Sequence, residues 1–232
     1  MIDDVAARAD VVRGRIAAAG GDLDRVRVVA VTKGFGADHA TAALGAGLID
    51  LGENYAAELT AKAAALRAAD FRPAAAGGSP RWHFIGRVQR NKVPALVADV
   101  AVWQTVDRAE VAAEIARRSP GSVVLVQVNL TDNPLRGGCP LDGVAALVEL
   151  AQGHGLDVQG VMALGPPGGP EAARAGFRAV RAAADRLGLP ERSLGMSADL
   201  EVGVEEGSTM VRVGRALFGP RPGRAPRRPR PP

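Results

Sequence analysis

The stretch VRVVAVTKGFG, residues 26–36, combines a strand signal with a chemically useful side chain. Its first seven residues are mostly apolar and β-branched, which is typical of a buried β-strand. Lys33 follows where the strand should end, and glycines at positions 34 and 36 make the next turn flexible. A lysine in this place is commonly a solvated surface residue, but a lysine held in a pocket can use its amine as a nucleophile. The stretch by itself leaves both interpretations open.

Outward from this stretch, further apolar segments alternate with alanine-rich stretches of helical periodicity. The apolar segments read LIDLG, WHFIG, VAVWQTV, SVVLVQVNL, VQGVMAL, SLGM and MVRVG, and the helical stretches span residues 38–46, 53–69, 107–118, 141–153 and 170–187. The strands lack polar alternation, as expected when a parallel sheet is covered on both faces. Eight strands in this order predict an α/β fold, a single (β/α)8 TIM barrel, with an open doubly wound sheet as the alternative.

Local signals add detail to this pattern. Asp38 and Asp107 are placed to cap the helices that follow them, and Asp142 lies just inside its helix. The segment RPAAAGGSP at 72–80 is predicted to be a long irregular insertion. No Gly-x-Gly-x-x-Gly motif follows the first strand, which argues against a dinucleotide-binding site.

Composition places the protein among soluble globular chains. With 232 residues, of which 47% are hydrophobic, the chain can bury a substantial core. Met1 is followed by acidic residues rather than by a basic run and an apolar stretch, and no segment approaches the length of a membrane helix. The single cysteine, Cys139, cannot form an internal disulfide, which suits a reducing compartment. We therefore expect a cytoplasmic protein without membrane contacts.

The basic character of the chain is concentrated at its end. Residues 220–232, PRPGRAPRRPRPP, hold five arginines, six prolines and no acid, so we expect them to be a disordered tail beside a folded domain at 1–219. Because these five arginines exceed the net charge of +4, the folded part carries no basic excess. The high isoelectric point is therefore weak support for a nucleic-acid partner, and we expect none.

The predicted barrel gives Lys33 a context. Chemistry in such barrels gathers at the carboxyl ends of the strands, which form the barrel mouth, and phosphates bind after strands seven and eight. Strand seven ends in LGMSADL, residues 194–200, where Ser197 is predicted to cap a short helix; strand eight ends at Gly214. Closure makes strand eight the neighbour of strand one. Lys33, the amides near Met196 and Ser197, and the Gly214 backbone would then face one mouth, where they could hold a phosphate dianion.

Five motifs in order carry a family resemblance. AVTK, LGENYAAEL, WHFIGRVQRNK, LGMSADLEVGVEEGSTMVRVG and LFG together resemble the pyridoxal phosphate homeostasis proteins, a family related to the N-terminal barrel of alanine racemases. The resemblance runs from about residue 5 to 219. It implies that Lys33 carries pyridoxal 5'-phosphate as an internal aldimine and that Ser197 and Gly214 hold the phosphate. It also implies that Arg212 faces the pyridine nitrogen and that Asn54 lies near the ring.

The same resemblance implies a function. Such a protein buffers the cofactor in the cell and delivers it through transient contacts with apoenzymes, as a monomer without strong catalysis of its own. A racemase-like enzyme is the first alternative, but it needs a second base, which in that superfamily is a tyrosine from an added domain; the sequence ends soon after LFG. A Schiff-base aldolase that uses Lys33 without a cofactor is the second, and the absence of a visible absorbance band would identify it.

Several other polar residues admit two interpretations each. Glu53 could act on Lys33 indirectly, without a direct contact, or could simply be favoured by the dipole of a helix start. His83 could face the mouth, but a hydrogen-bonded core histidine is the stronger expectation, and Tyr55 is as readily buried as presented. Residues 89–92, QRNK, hint at an anion or partner surface, although solvent exposure explains them too. Cys139 is interpreted as structural, and no spacing resembles a metal site.

Overall fold

A computed structural model describes residues 2–69, 79–131 and 133–221. Most of the insertion predicted at 72–80 lies outside the described residues. So does the tail predicted at 220–232, apart from its first two residues.

Eight parallel strands close into a barrel in sequence order. Each strand pairs with the next, and β8 returns to pair with β1, with Val28 opposite Val211. The closed barrel is confirmed, and the open doubly wound alternative is wrong. The strands are β1 (Arg27–Val31), β2 (Asp50–Glu53), β3 (Arg81–Phe84), β4 (Val100–Val106), β5 (Val123–Val128), β6 (Asp157–Ala163), β7 (Glu191–Met196) and β8 (Met210–Val213).

Helices surround the strands, and one of them precedes the barrel. They are α1 (Ile2–Ala18), α2 (Ala37–Gly45), α3 (Ala56–Ala68), α4 (Val93–Leu96), α5 (Ala109–Arg118), α6 (Val144–Gly153), α7 (Pro170–Arg186), α8 (Leu200–Glu205) and α9 (Arg215–Phe218). Helix α1 was not among the predicted elements; it packs against α2, α8 and α9 through Val5, Ala9, Val12 and Ile16. Within the described ranges, no helix combines the length and the apolar character that crossing a membrane requires.

The helix starts differ from the predicted caps. Asp38 lies in the first turn of α2, whose N-cap is Gly36, and its carboxylate accepts a hydrogen bond from His39 Nδ1 at 2.9 Å. Asp107 precedes the N-cap residue Arg108 of α5 and pairs with its guanidinium. The capping roles predicted for both aspartates are therefore wrong, although Asp38 still lies where the helix dipole favours an acid. Asp142 lies in a short 3-10 turn that leads into α6.

The barrel has an apolar outer core and a polar interior. Between strands and helices lies one large cluster of buried apolar side chains. Inside the barrel, the described residues form only a small apolar group, around Val102, Leu125 and Met162. Buried polar side chains fill much of the remaining interior, since Gln104 of β4 is hydrogen-bonded to Ser193 on the non-adjacent strand β7. This interior lies directly beneath the mouth and supports the site there.

Candidate functional site

Lys33 stands at the mouth, two residues past the end of β1. The turn that carries it is fixed, because Thr32 N donates to Gly52 O at 3.0 Å and Phe35 N donates to Thr32 O at 3.0 Å. Gly34 has a φ of 77°, in the left-handed region that favours glycine. Lys33 is partly buried, and its Nζ forms no hydrogen bond or ion pair with any residue the structure describes. The side-chain amine of Lys33, directly after the first strand, is therefore free of partners among the described residues.

The surroundings of Lys33 favour its neutral form. Burial lowers the pKa of Lys33, the cations Arg221 and Arg212 lower it further, and the Glu53 carboxylate opposes them. Arg221 was not predicted to take part: its side chain lies over the first turn, so that a Cβ at position 34 would be 3.2 Å from Arg221 Cδ.

Lys62 of α3 is a second lysine near this end of the barrel, and it is bound on every side. Its side chain is only 6% exposed, and Nζ donates to the Glu53 carboxylate, to Thr32 O at 2.7 Å and to Glu58 Oε2 at 3.3 Å. An ammonium with three acceptors has its donors satisfied. Lys62 is therefore held as a structural cation, whereas Lys33 is left free to react.

Glu53 forms its direct ion pair with Lys62, not with Lys33. It is the last residue of β2, fully buried, and its Oε1 accepts hydrogen bonds from Lys62 and, at 2.7 Å, from Thr32 Oγ1. Burial raises the pKa of Glu53, and the bonds from Lys62 and Thr32 oppose that rise. The helix-start interpretation is wrong, because Glu53 lies on a strand. Its direct partner is Lys62, and its charge still acts on Lys33.

Asn54 follows Glu53 at the mouth and leaves an acceptor unused. Its backbone N lies 3.3 Å from Glu53 Oε2, while its side-chain Oδ1 is buried without a hydrogen-bond partner among the described residues. The backbone is held in place by Gly86, where any Cβ would overlap the Asn54 carbonyl. A buried unpaired amide oxygen is costly, so its presence here points to a ligand that would satisfy it.

Arg212 is a fixed cation inside the barrel. It lies on β8, and its Nη1 donates to Ser193 O and Ser193 Oγ, both at 2.6 Å, while Nη2 donates to Ala163 O at 2.8 Å. Burial lowers the pKa of Arg212 to about 10, and the charge of Asp199 opposes this. The guanidinium therefore remains charged at neutral pH.

The loops after β7 and β8 meet at the same mouth. Ser197 Oγ accepts a hydrogen bond from Ala216 N at 3.4 Å, which joins the two loops. Gly214 lies against the end of β1, since a Cβ there would be 3.2 Å from Val31 O. Ser197 is not the N-cap of α8 as predicted; that position belongs to Asp199. Gly214 therefore lies beside the strand that leads to Lys33, and Ser197 is joined to the loop after Gly214. The phosphate-holding role of Ser197 and Gly214 stays a prediction.

Two residues that support this loop were missed in the sequence. Asp199 Oδ1 accepts a hydrogen bond from Met196 N at 2.7 Å. Arg15 of α1 donates to Ser197 O at 3.1 Å and pairs with Glu201 at 2.6 Å. Asp199 carries a recognisable signal, since an aspartate directly before an apolar helical run is a common cap. Arg15 carries none, because α1 itself was not predicted.

The remaining candidates differ in burial. His83 is fully buried in the barrel interior, which confirms the core interpretation, and Tyr55 is 54% exposed. Residues Arg90–Lys92 form an exposed 3-10 turn. Burial raises the pKa of Cys139 to about 11, so this residue is an unreactive thiol at neutral pH.

The fold and the site at its mouth define the class of protein: a (β/α)8 barrel with a lysine at the mouth, just after the first strand. The family model described as "Alanine racemase, N-terminal domain" matches residues 3–222, and the chain belongs to this family. Within it, the chain is similar to proteins named "Pyridoxal phosphate homeostasis protein", as the motifs predicted. The relative from Pseudomonas aeruginosa is 37% identical over 97% of this chain and 96% of its own length. The relative from Escherichia coli K12 is 34% identical over 95% and 98%.

Solved structures show the same relationship. PipY of Synechococcus elongatus, whose structure contains bound pyridoxal phosphate, is 29% identical with a TM-score of 0.78 and covers 93% of this chain and 100% of its own. A protein of unknown function from Bifidobacterium adolescentis is 31% identical with a TM-score of 0.83 over 94% of both chains. A D-threo-3-hydroxyaspartate dehydratase from Delftia, at 19% identity and a TM-score of 0.66, shares the fold alone.

Proposed function

We propose that this protein binds pyridoxal 5'-phosphate and acts in cofactor homeostasis, holding the cofactor and delivering it without strong catalytic activity of its own. The observation that carries the proposal is the free Lys33 amine with its lowered pKa, at the same mouth as Ser197 and Gly214 and near the Arg212 cation. The names of the curated relatives and the cofactor bound to PipY support it.

Each residue would have a distinct role toward the cofactor. The neutral Lys33 amine would attack the aldehyde, a step that requires an unprotonated nitrogen. The Ser197 hydroxyl, with the backbone near Met196 and Gly214, would hold the phosphate through charge-assisted hydrogen bonds. The buried Asn54 Oδ1, which has no partner among the described residues, fits a position near the ring. When bound, the cofactor supplies a reactive aldehyde and an electron-withdrawing pyridine ring.

In this proposal Arg212 would limit how strongly the bound ring could withdraw electrons. A guanidinium has only donors and stays charged, so next to the ring nitrogen it would disfavour protonation there. A carboxylate in that place would favour protonation and make the ring a stronger electron sink. The racemase-like alternative is tested by following exchange of the α-proton of alanine in heavy water by NMR. Turnover near the ~1–10³ s⁻¹ of ordinary enzymes would overturn the carrier proposal.

We also propose a cytoplasmic monomer that meets apoenzymes transiently and binds neither nucleic acid nor membranes. In this proposal residues 1–219 are the cofactor-binding unit and residues 220–232 a separate basic segment. The first residues of that segment would still influence the site, since the charge of Arg221 lowers the pKa of Lys33.

An absorbance titration tests the proposal. Adding pyridoxal phosphate to the protein should produce a saturable visible band, and pyridoxal without the phosphate should bind far more weakly. A protein that stays colourless at saturating cofactor would contradict the proposal and favour a cofactor-free lysine chemistry. Equal affinity for both compounds would contradict the phosphate-holding role of Ser197 and Gly214.

A further inference from the structure

A continuous chain of side-chain hydrogen bonds runs through the barrel interior from Arg212. Arg212 Nη1 lies 2.6 Å from Ser193 Oγ, which lies 2.8 Å from Gln104 Oε1. Gln104 Nε2 lies 2.7 Å from His83 Nδ1, and His83 Nε2 lies 2.8 Å from Asp50 Oδ1. The chain uses strands β8, β7, β4, β3 and β2, and every side chain in it is buried. It connects the cation near the mouth to the opposite end of the barrel.

The chemistry of the groups gives this chain one direction. Arg212 can only donate, so Ser193 Oγ accepts a hydrogen bond from it. The Ser193 hydroxyl proton is then donated to Gln104 Oε1. The Gln104 amide nitrogen, Nε2, then donates a hydrogen bond to His83 Nδ1, which must therefore be the unprotonated ring nitrogen. The His83 proton therefore sits on Nε2 and is donated to the Asp50 carboxylate. Each donor points away from the mouth.

Met210 fixes the orientation of the central amide independently. Its Sδ lies 2.9 Å from Gln104 Nε2, and a thioether sulfur can only accept. If the amide were reversed, Gln104 Oε1 would face this sulfur and the amide nitrogen would face the Ser193 hydroxyl. The sulfur and His83 Nδ1 together therefore require the same amide orientation, which fixes the histidine tautomer.

Charges at the two ends polarise the chain. Burial alone would raise the pKa of Asp50, but the hydrogen bond from His83 and the charges of Arg81 and Arg27 hold it below its ordinary value. Burial lowers the pKa of His83 and keeps the imidazole neutral, against the opposing effect of Asp50. Asp50 also borders a cavity of about 210 Å³ at the amino-terminal end of the barrel. A cation at one end and an anion at the other reinforce every bond between them.

We propose that Ser193, Gln104, His83 and Asp50 are positioning residues that lock the Arg212 guanidinium in the orientation it needs toward the bound cofactor. The proposal rests on the function proposed above. A guanidinium released from Ser193 Oγ would be held only by its bonds to the carbonyls of Ser193 and Ala163, so its orientation would be less rigid. Cofactor retention and the absorbance of the bound cofactor would then change, although none of these four side chains touches Lys33.

The first experiment needs no cofactor. In ¹⁵N-labelled protein, NMR should show His83 as the Nε2-protonated tautomer and slow solvent exchange of the Arg212 guanidinium protons. Ser193→Ala should accelerate that exchange by about tenfold or more, the size expected for losing a hydrogen bond to a charged group. His83 protonated on Nδ1, or unchanged Arg212 exchange in Ser193→Ala, would overturn the proposal.

Ser208→Ala is the matched control. Ser208 is a buried serine on the loop before β8. Among the described residues, its hydroxyl bonds only to backbone, including Leu194 O at 2.8 Å and Met210 O at 2.9 Å. The control should lose stability while leaving the His83 tautomer and the Arg212 exchange as in the wild type. Equal changes in the two serine variants would mean that general loosening, not the chain, explains the effect, and would overturn the proposal.

Gln104→Glu provides a nearly isosteric second variant if Ser193→Ala fails to fold. The introduced carboxylate cannot donate to His83 Nδ1, so His83 should become protonated on that nitrogen, and an unchanged tautomer would overturn the proposal.

In cofactor-loaded protein, the Gln104→Glu variant should retain cofactor more weakly than Ser208→Ala and show a shifted visible band. A wild type with the expected tautomer but no visible band would contradict the proposed function while leaving the chain in place. A normal band with an unaltered spectrum in Gln104→Glu would overturn the positioning role alone.

Discussion

Two lysines near the carboxyl end of the barrel meet opposite surroundings. Lys62 is nearly inaccessible and donates to Glu53, Glu58 and the Thr32 carbonyl. Lys33 is more open, has no acceptor among the described residues, and has cations as neighbours that lower its pKa. The comparison shows that burial by itself does not make a lysine nucleophilic. What differs is whether neighbouring acceptors already occupy the amine, as they do at Lys62, or leave it without a partner among the described residues, as at Lys33.

The largest effect is expected at Lys33. Lys33→Ala should abolish the visible band of bound pyridoxal phosphate while the far-UV circular dichroism stays unchanged, because a partly exposed mouth residue contributes little to packing. Spectra are recorded on unreduced protein after dialysis against cofactor-free buffer, with the wild type treated in the same way. A variant that keeps its full band would show that another lysine carries the cofactor, and the contrast between the two lysines would fail.

The opposite result is expected at Lys62. Lys62→Met removes the partner of the buried Glu53 carboxylate, which should cost about 3–5 kcal/mol of unfolding free energy, measured by urea denaturation at neutral pH. The variant should still develop the visible band where it remains folded. Lys92→Met, at an exposed 3-10 turn, is the matched control and should stay within about 0.5 kcal/mol of wild type. If Lys62→Met matches that control, the Lys62–Glu53 pair is not structural.

Cofactor selection at the mouth should depend on the loops that face Lys33. Ser197→Ala should weaken retention of pyridoxal phosphate by about 1.5–3 kcal/mol, the value of a hydrogen bond to a charged group. Gly214→Val should weaken it more, because its side chain would press on Val31 O. Equilibrium dialysis measures both, with pyridoxal as the comparison ligand. A similar loss for pyridoxal would mean that these residues do not contact the phosphate.

The smallest effect is a shift in pH dependence. Lys33 is protonated below its pKa and reactive above it, and Arg221 is one of the charges that hold this pKa down. Arg221→Glu should therefore raise the pKa of Lys33 and move the pH profile of the cofactor capture rate to higher pH. Arg87→Glu makes the same charge change at a residue that is not among the charges acting on Lys33. Identical shifts in both variants would point to net charge rather than to proximity.

The barrel and most of its mouth follow from the sequence, because buried parallel strands and alternating helices leave strong local patterns. Helix α1 does not follow from the sequence. Its buried face consists of Val5, Ala9, Val12 and Ile16, which stand among many alanines and charged residues. It also precedes the first strand, so the alternation of strands and helices does not predict it. The predicted caps failed for a different reason. Carboxylates such as Asp107 can be satisfied by a neighbouring side chain, and composition does not reveal which partner is used.

The supporting residues of the site are mostly beyond sequence reasoning. Lys62 reaches Glu53 from a helix to a strand, so their pairing depends on how α3 packs on β2. The chain from Arg212 through Gln104 joins residues on separate strands and needs the barrel closure as well as the interior orientation of each side chain. Lys33 could be found because its signal is local, an unexpected charge directly after an apolar strand.

Peptide mapping distinguishes the two lysines most directly. The protein is loaded with pyridoxal phosphate, reduced with borohydride, digested, and analysed by mass spectrometry for the pyridoxyl phosphate adduct. We predict the adduct on the peptide that contains Lys33, in near-stoichiometric amount, with Lys62 unmodified. An adduct on Lys62, or one spread over the surface lysines without preference for Lys33, would contradict the assignment of the free amine as the cofactor anchor.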